Sequence, residues 1–403
     1  MDCPAEGFHI QEELQPTVRE HDIKAETGPA PPRWSYLVLA VAVLAMSSGG
    51  IWFALLGTFG TPPLMMACWR LTLTSGLQLV GVVYELRTVN FDDAFWSRFR
   101  RAWLLLVTSG VALAIHFGSW GWSIARTTLL DSLLLVSSVP LLLVAIQTLR
   151  WLYRRFTSPA YVAPPQATMP PQNNTNDGDS YVAAPQESDP NESDSTAQSW
   201  LRLVFCPLNP HAPTWLEALG ALCGFFGVLV LLLMAPDTAG TSSSTAVTTV
   251  AGNLAALLGA FAIIPYLEVG ASCRQFMPLF LYAFPVTFVA AVSLAVASLA
   301  TESNTTVSTV GLTALFGFLG DTHRAGYALG AAAVSGIAGH TLMNLAVKYV
   351  SPLVVGVAVL WEPLLGSFLG YFANVQGPPD VLSLVATPLL LGGALLVTLG
   401  GRK

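Results

Sequence analysis

Ten apolar runs, each about twenty residues long, dictate what this chain can fold into. They fall near 35–56, 64–84, 103–124, 128–149, 214–234, 249–269, 276–300, 327–347, 352–373 and 381–399. At a rise of 1.5 Å per residue each is long enough for a hydrocarbon core about 30 Å thick. A backbone surrounded by lipid must satisfy its own N–H and C=O groups, so each run reads as a helix. The expected fold is an all-α membrane protein with ten transmembrane helices. Run 276–300 is the least regular, because it holds Pro278 and Pro285. A further run, 310–319, is too short to span and reads as an interfacial or re-entrant piece. Composition agrees: 53% of the 403 residues are hydrophobic and 10% are charged, whereas soluble domains carry about a quarter charged residues.

This topology makes a prediction about charge. Arg and Lys should collect on alternate loops, on the cytoplasmic side. Arg33, Arg87, Arg98, Arg100, Arg101, Arg150, Arg154, Arg155, Arg202, Arg274, Lys348, Arg402 and Lys403 all fall on one side, with Arg19 and Lys24 in the tail. Only Arg126 and Arg324 fall opposite, and Arg70 lies inside the second run. Both termini are therefore expected in the cytoplasm, with plasma and organelle membranes both open. The sequon at Asn304 falls on the far side, where it can be glycosylated, while those at Asn173 and Asn191 fall on the cytoplasmic side.

The domain plan follows. Residues 1–34 read as a disordered cytoplasmic tail, without the basic-then-apolar pattern of a cleaved signal. Four spans occupy 35–150, and a fifth at 214–234 closes the first half. Residues 235–403 form the second half. Between spans four and five, 151–213 is rich in Pro, Asn, Ser and Asp, and YVAPPQ at 161–166 recurs as YVAAPQ at 181–186. That insertion reads as a disordered linker or as a partner-binding loop. WLRLVF at 200–205 suits the membrane surface. The five cysteines are scattered without CxxC or zinc spacing, so neither a disulfide framework, a metal site nor a cofactor is expected. No basic stripe with interleaved aromatics points to nucleic acid.

Five spans per half give the halves opposite orientations, the arrangement of inverted-repeat secondary transporters. Local sequence supports this. HFGSWGWSIARTTLLDSLLLVSSVPLLL, in spans three and four, aligns with GHTLMNLAVKYVSPLVVGVAVLWEPLLG in spans eight and nine. Pro140 then meets Pro363 at an offset of 223, His116 stands opposite Gly339, and Val139 stands opposite Glu362.

The pattern resembles the drug/metabolite transporter superfamily, and within it the EamA-type ten-helix carriers. The matching stretches are SSGGIWFALLG in span one, PPLMMACWRLTLTSG with Arg70 in span two, and HFGSWGWSIARTTLLDSLLLVSSVP in spans three and four. GNLAALLGAFAIIPYLEVGASCRQ and VSPLVVGVAVLWEPLLGSFLGY carry it through the second half. Coverage runs over about 35–150 and 214–399. The Gly-Glu turn that often follows spans four and nine is absent: the insertion replaces the first and NVQGPP the second. The resemblance implies two inverted five-helix repeats and transport of a small metabolite by alternating access. The solute classes left open are amino acids, nucleotide-linked compounds and amine-like solutes. A homodimer is compatible with it.

Polar residues inside apolar spans are costly, about 2.5–3.5 kcal/mol each on insertion scales, so each needs a partner or a task. Arg70, His116 and Asp131 fall at similar outer depths in spans two, three and four. They read as a substrate or gate layer, with Arg70 pairing Asp131 or an anionic group. The alternatives are that Arg70 is architectural and that Asp131 caps its helix. His116 is a candidate for proton coupling, or a hydrogen-bonding packing residue. His340 and Asn344 share a face of span eight, in its inner half. Glu362 lies at the midplane beside Pro363, which with Pro140 marks expected kinks. Trp52, Trp120, Tyr266 and Trp361 are pathway or packing aromatics. Gly, Ala and Ser at 330–339 suit close helix approach.

Other classes leave weaker marks. Ser335, in A-V-S-G, with His116 and His340 elsewhere, is the nearest approach to an intramembrane serine hydrolase. A receptor or scaffold would use the cytoplasmic loop. A channel would need an acidic ring or a pore loop, and neither is evident.

Overall fold

The computed structural model describes residues 32–157, 213–233, 249–346, 349–350, 355 and 358–400. Within them nine helices are long and apolar enough to cross a membrane: Arg33–Gly57, Pro63–Thr88, Trp103–Ile124, Leu129–Tyr153, Trp215–Leu233, Val250–Gly270, Leu279–Thr301, Thr322–Ala346 and Val381–Gly400. These are spans one to eight and span ten. Expected span nine is represented by Glu362–Phe372, which at 11 residues is too short to cross alone. Residues 351–354 and 356–357, in its first half, lie outside the described residues. So do 1–31 and 158–212, which hold nearly all of the expected tail and insertion, with Asn173, Asn191 and 200–205, and also Lys348. Among the described residues there is no strand, only a bridge between Thr306 and Ala314.

The chain divides into two compact units. One comprises 21–146 and 213–403; the other comprises 1–20 and 147–212. Of the second, only 147–157 is described, and it is the helical end of Val139–Thr157.

In the larger unit the helix pairings follow a rule. Span two lies along span seven, span five along span ten, and the first half of span four along Glu362–Phe372. Span three lies along span six as span one lies along span eight. Span three also touches span seven as span two touches span eight, and span four touches span six as Glu362–Phe372 touches span one. Each of these pairings has a counterpart when the two halves are exchanged, whereas the contact of span two with span three has none of similar extent between spans seven and eight.

Small residues set the tightest of these contacts. A Cβ added to Gly393 would lie 2.6 Å from Gly220 O and from Gly224 N, and one added to Gly220 would lie 2.6 Å from Gly393 O. Spans five and ten thus touch backbone to backbone, the close approach that small residues permit in lipid.

Spans two and seven are joined at both ends by carboxylates. Pro62 and Pro63 have no N–H, so Leu64 and Met65 supply the first donors of span two. Both donate to Glu302, at the end of span seven, at 2.7 and 3.1 Å. At the other end Glu85 accepts from Phe280 N at 3.0 Å and from Leu281 N at 2.9 Å, the first turn of span seven. Free N–H groups and the helix dipole make each N-terminus a site for negative charge.

Spans four and nine break just before proline. Leu129–Val136 ends at Ser137, and the next helix starts at Val139 with Pro140 second. Glu362–Phe372 starts with Pro363 second, after a turn at Leu360 and Trp361. Val139 and Glu362 are the residues that the 223-residue alignment pairs. By contrast Pro285 lies within an unbroken helix, Leu279–Thr301, so run 276–300 is a full span.

Three connections carry structure of their own. Asp93–Arg101 is a short helix capped by Asp92, which accepts from Phe95 N at 2.7 Å. Its Phe95, Trp96 and Phe99 face Phe276 and Phe280, and its last turn carries Arg98, Arg100 and Arg101. Run 310–319 is an irregular loop ending in a 3-10 turn at Gly317–Gly320. It is anchored by Trp69 Nε1 donating to Ala314 O at 3.2 Å and by Phe318 against the Trp69 ring. At the end of Glu362–Phe372, Asn374 takes φ 56°, in the left-handed region. Val375 N then reaches Gly370 O at 3.0 Å, so Asn374 does the terminating work of the missing glycine.

Candidate functional site

Span two presents Arg70, Thr74 and Gln78 four residues apart, hence on one face. Opposite them, Ala331–Thr341 of span eight is π-helical. An i→i+5 ladder places residues five apart over one another, here Ser335 and His340. Thr341 Oγ1 donates to Gly336 O at 3.2 Å, and a Cβ at Gly336 would strike Thr74. Small residues and the wide helix therefore bring the polar faces of spans two and eight together.

Arg70 is 1% exposed. Its Nη2 donates to Ser335 Oγ at 3.0 Å, while Nε and Nη1 have no hydrogen-bond partner among the described residues. The guanidinium lies over the Phe117 ring, 4.2 Å from its centroid, and the His340 ring meets Phe117 edge-on at 5.5 Å. Gln78 Nε2 donates to Thr341 Oγ1 at 3.3 Å, and its buried Oε1 is unpartnered. A buried polar atom without a partner costs about 1–3 kcal/mol.

These groups wall a cavity of about 30 Å³, with Phe117, Tyr266, Thr287, His340 and Asn344 among its other residues. That volume holds about two waters. A larger chamber of about 830 Å³ adjoins it, lined by Glu85, Arg274, Pro278, Tyr282 and Tyr349, and again by Tyr266 and Asn344. Asn344 Nδ2 donates to Tyr266 Oη at 3.4 Å, so that pair belongs to both walls. The chamber lies at the Glu85 end of spans two and seven. The Glu302 end is covered by the 302–321 loop on Trp69. Just outside the helical segments, burial lowers the pKa of Arg274, and the nearby Glu85 carboxylate opposes this.

The structure thus lines one cavity with Arg70, Tyr266, His340 and Asn344, while Trp120 stands beside it with its ring 5.9 Å from the Arg70 guanidinium. His116 Nδ1 is 2.8 Å from Gly259 O, a contact that ties span three to span six, and His116 does not line the cavity. Asp131 accepts from Ser383 Oγ of span ten at 2.6 Å, and its backbone N–H is capped by Thr128. Of the expected outer layer, Arg70, His116 and Asp131 each bond to a different helix, and Arg70 does not pair with Asp131. Trp120 is buried against Phe53 and Phe117, with its Nε1 unpartnered and outside the cavity wall. Trp52 donates to Ser48 Oγ, and Trp361 is exposed. Glu362 is half-buried and does not line the cavity. Asn304 is exposed on the loop after span seven, with its carbonyl accepting from Thr313 Oγ1 at 2.6 Å.

Thr74, Gln78 and Thr341 were missed as wall residues. The spacing Arg70, Thr74, Gln78 was the available signal. The π-helix had none, since Gly and Ala runs look alike in any helix.

No family model matches the chain, and no curated protein matches it. A solved structure described as "Crystal structure of protein" is similar over 92% of this chain and 98% of its own, at a TM-score of 0.49 and 17% identity.

Proposed function

We propose that this chain is a secondary carrier of a small metabolite, built as ten spans in two inverted five-helix repeats and working by alternating access. The observation that carries the reading is the Arg70 cavity, joined at Tyr266 and Asn344 to a chamber at one end of the bundle and covered at the other. A buried polar site reached from one end is what one state of a carrier requires. The pairing rule supports the repeat, as do the two carboxylate clamps and the breaks at Val139 and Glu362. So does the sequence resemblance to EamA-type carriers. By the Arg and Lys asymmetry the chamber end is cytoplasmic. Ser335 Oγ accepts from Arg70 rather than serving a histidine, which favours the carrier over a serine hydrolase.

The test is sidedness. Thr74→Cys in the cavity wall, read against the same protein without that cysteine, should react with a membrane-impermeant maleimide from both faces of sealed vesicles. Modification from one face only, whatever solute is added, would sink alternating access.

A further inference from the structure

We propose that the acidic head bound in the Arg70 cavity is a carboxylate, and hence that the solute is a small organic carboxylate rather than an amine. The inference rests on the carrier reading above for its word "solute", but the site itself stands on the geometry. Arg70 is buried and has unpaired donors on Nε and Nη1. Ser335 uses one proton of Nη2. Whichever one it uses, the other Nη2 proton still forms a parallel fork, with either Nε–H or Nη1–H. Such a fork matches the two oxygens of a carboxylate.

Size points the same way. A cavity of about 30 Å³ holds about two waters, the room that the two oxygens of a carboxylate fill, whereas a phosphate brings two more. The remainder of the ligand would pass Tyr266 and Asn344 into the chamber, where there is ample volume. Gln78 Oε1 offers an acceptor to an N–H or O–H on the ligand. Charge argues against a cation, because no Asp or Glu is among the described residues that line the cavity and Arg70 would repel it. At the closed face Phe117 covers the guanidinium, so the edge, not the ring plane, is left for a ligand.

The test uses the full chain in detergent, with intrinsic tryptophan fluorescence and thermal unfolding as readouts. The probes are sodium lactate, sodium glutamate, inorganic phosphate and putrescine at matched ionic strength. A carboxylate should raise the melting temperature saturably, and putrescine should not. Arg70→Lys keeps the charge but loses the fork, and should weaken the carboxylate by about tenfold or more, while Arg126→Gln, outside the cavity, should not change it. Stabilisation by putrescine alone would overturn the proposal. So would an equal effect of phosphate, no effect of either carboxylate, or unchanged affinity in folded Arg70→Lys. If Arg70→Lys does not fold, the selectivity of the wild-type protein decides alone. Repeating the titration in phosphatidylcholine nanodiscs with and without phosphatidylglycerol separates sources: competition by the anionic lipid for the carboxylate effect would assign the site to a headgroup and overturn the solute. Proteoliposome flux separates the two readings. Carboxylate binding without flux would defeat the carrier and keep the site; putrescine flux without carboxylate binding would do the reverse.

Discussion

Asn344 donates to Tyr266 Oη at 3.4 Å, and the two side chains are shared by the walls of the Arg70 cavity and the chamber beside it. One residue comes from span eight and the other from span six, so a movement between those helices would make or break the contact. Tyr266→Phe removes the hydroxyl and keeps the ring. A hydrogen bond is worth about 0.5–1.5 kcal/mol net, so access should rise about two- to tenfold. The measurement is the maleimide labelling rate of Thr74→Cys from the chamber side. An unchanged rate would mean that the pair does not restrict passage.

The two carboxylate clamps should act independently, because they sit at opposite ends of spans two and seven. Glu302→Ala removes the acceptor of Leu64 and Met65 N–H, and Glu85→Ala removes that of Phe280 and Leu281. Each should cost about 2 kcal/mol, since bonds to charged groups are the stronger kind. The double variant should show the sum within about 0.5 kcal/mol. Denaturant unfolding in detergent reads this, and a double variant no weaker than either single one would show that the ends are coupled.

Neighbouring glycines in span ten should differ sharply. Gly393→Ala puts a methyl group against the backbone of Gly220 and Gly224, whereas a Cβ at Gly392 meets nothing within 4 Å. Overpacking of this kind costs about 1–3 kcal/mol. Gly392→Ala should be neutral or slightly stabilising, because alanine favours the helix. Thermal unfolding of the two variants side by side checks it; equal effects would argue against the close crossing.

Asn374, at φ 56°, replaces the glycine expected after span nine. Asn374→Gly should be tolerated. Asn374→Ala places a Cβ in the left-handed region without the local hydrogen bonds of asparagine, at a cost of about 1 kcal/mol. Comparing the melting temperatures of the two variants tests this. If alanine proved as stable as glycine, the turn would not depend on that conformation.

Glu362 begins the helix that packs on Ser47 and Leu133 through Gly366. It is an acid within an apolar run, where a charge without a partner or a task is costly. Glu362→Gln keeps shape and removes charge. Under the carrier reading it should abolish transport with surface expression retained. Normal flux by that variant would remove the carboxylate from the mechanism and leave the Glu-Pro break as its only contribution.

The helices were legible because lipid leaves a backbone few choices. Apolar length alone marked nine of the ten expected spans, and Pro140 and Pro363 stand where spans four and nine break. Capping could also have been read: Asp92, three residues before Phe95 in an aromatic stripe, announces the helix Asp93–Arg101. What the sequence could not order was the direction each side chain faces. Arg70, His116 and Asp131 lie at similar heights when counted along their own helices, yet they face Ser335, Gly259 and Ser383 in three different spans.

By itself, then, the sequence determined a helical chain of many apolar spans and named the residues too polar to sit there without a reason. The tertiary structure alone decided which of them share a space. Rotation of each helix about its axis is set by contacts with residues hundreds of positions away, such as Gly393 on Gly220 and Glu302 on Leu64. Span eight, with its π-helical segment Ala331–Thr341, sets His340 and Asn344 in one cavity wall with Arg70, while His116 turns to the backbone of span six.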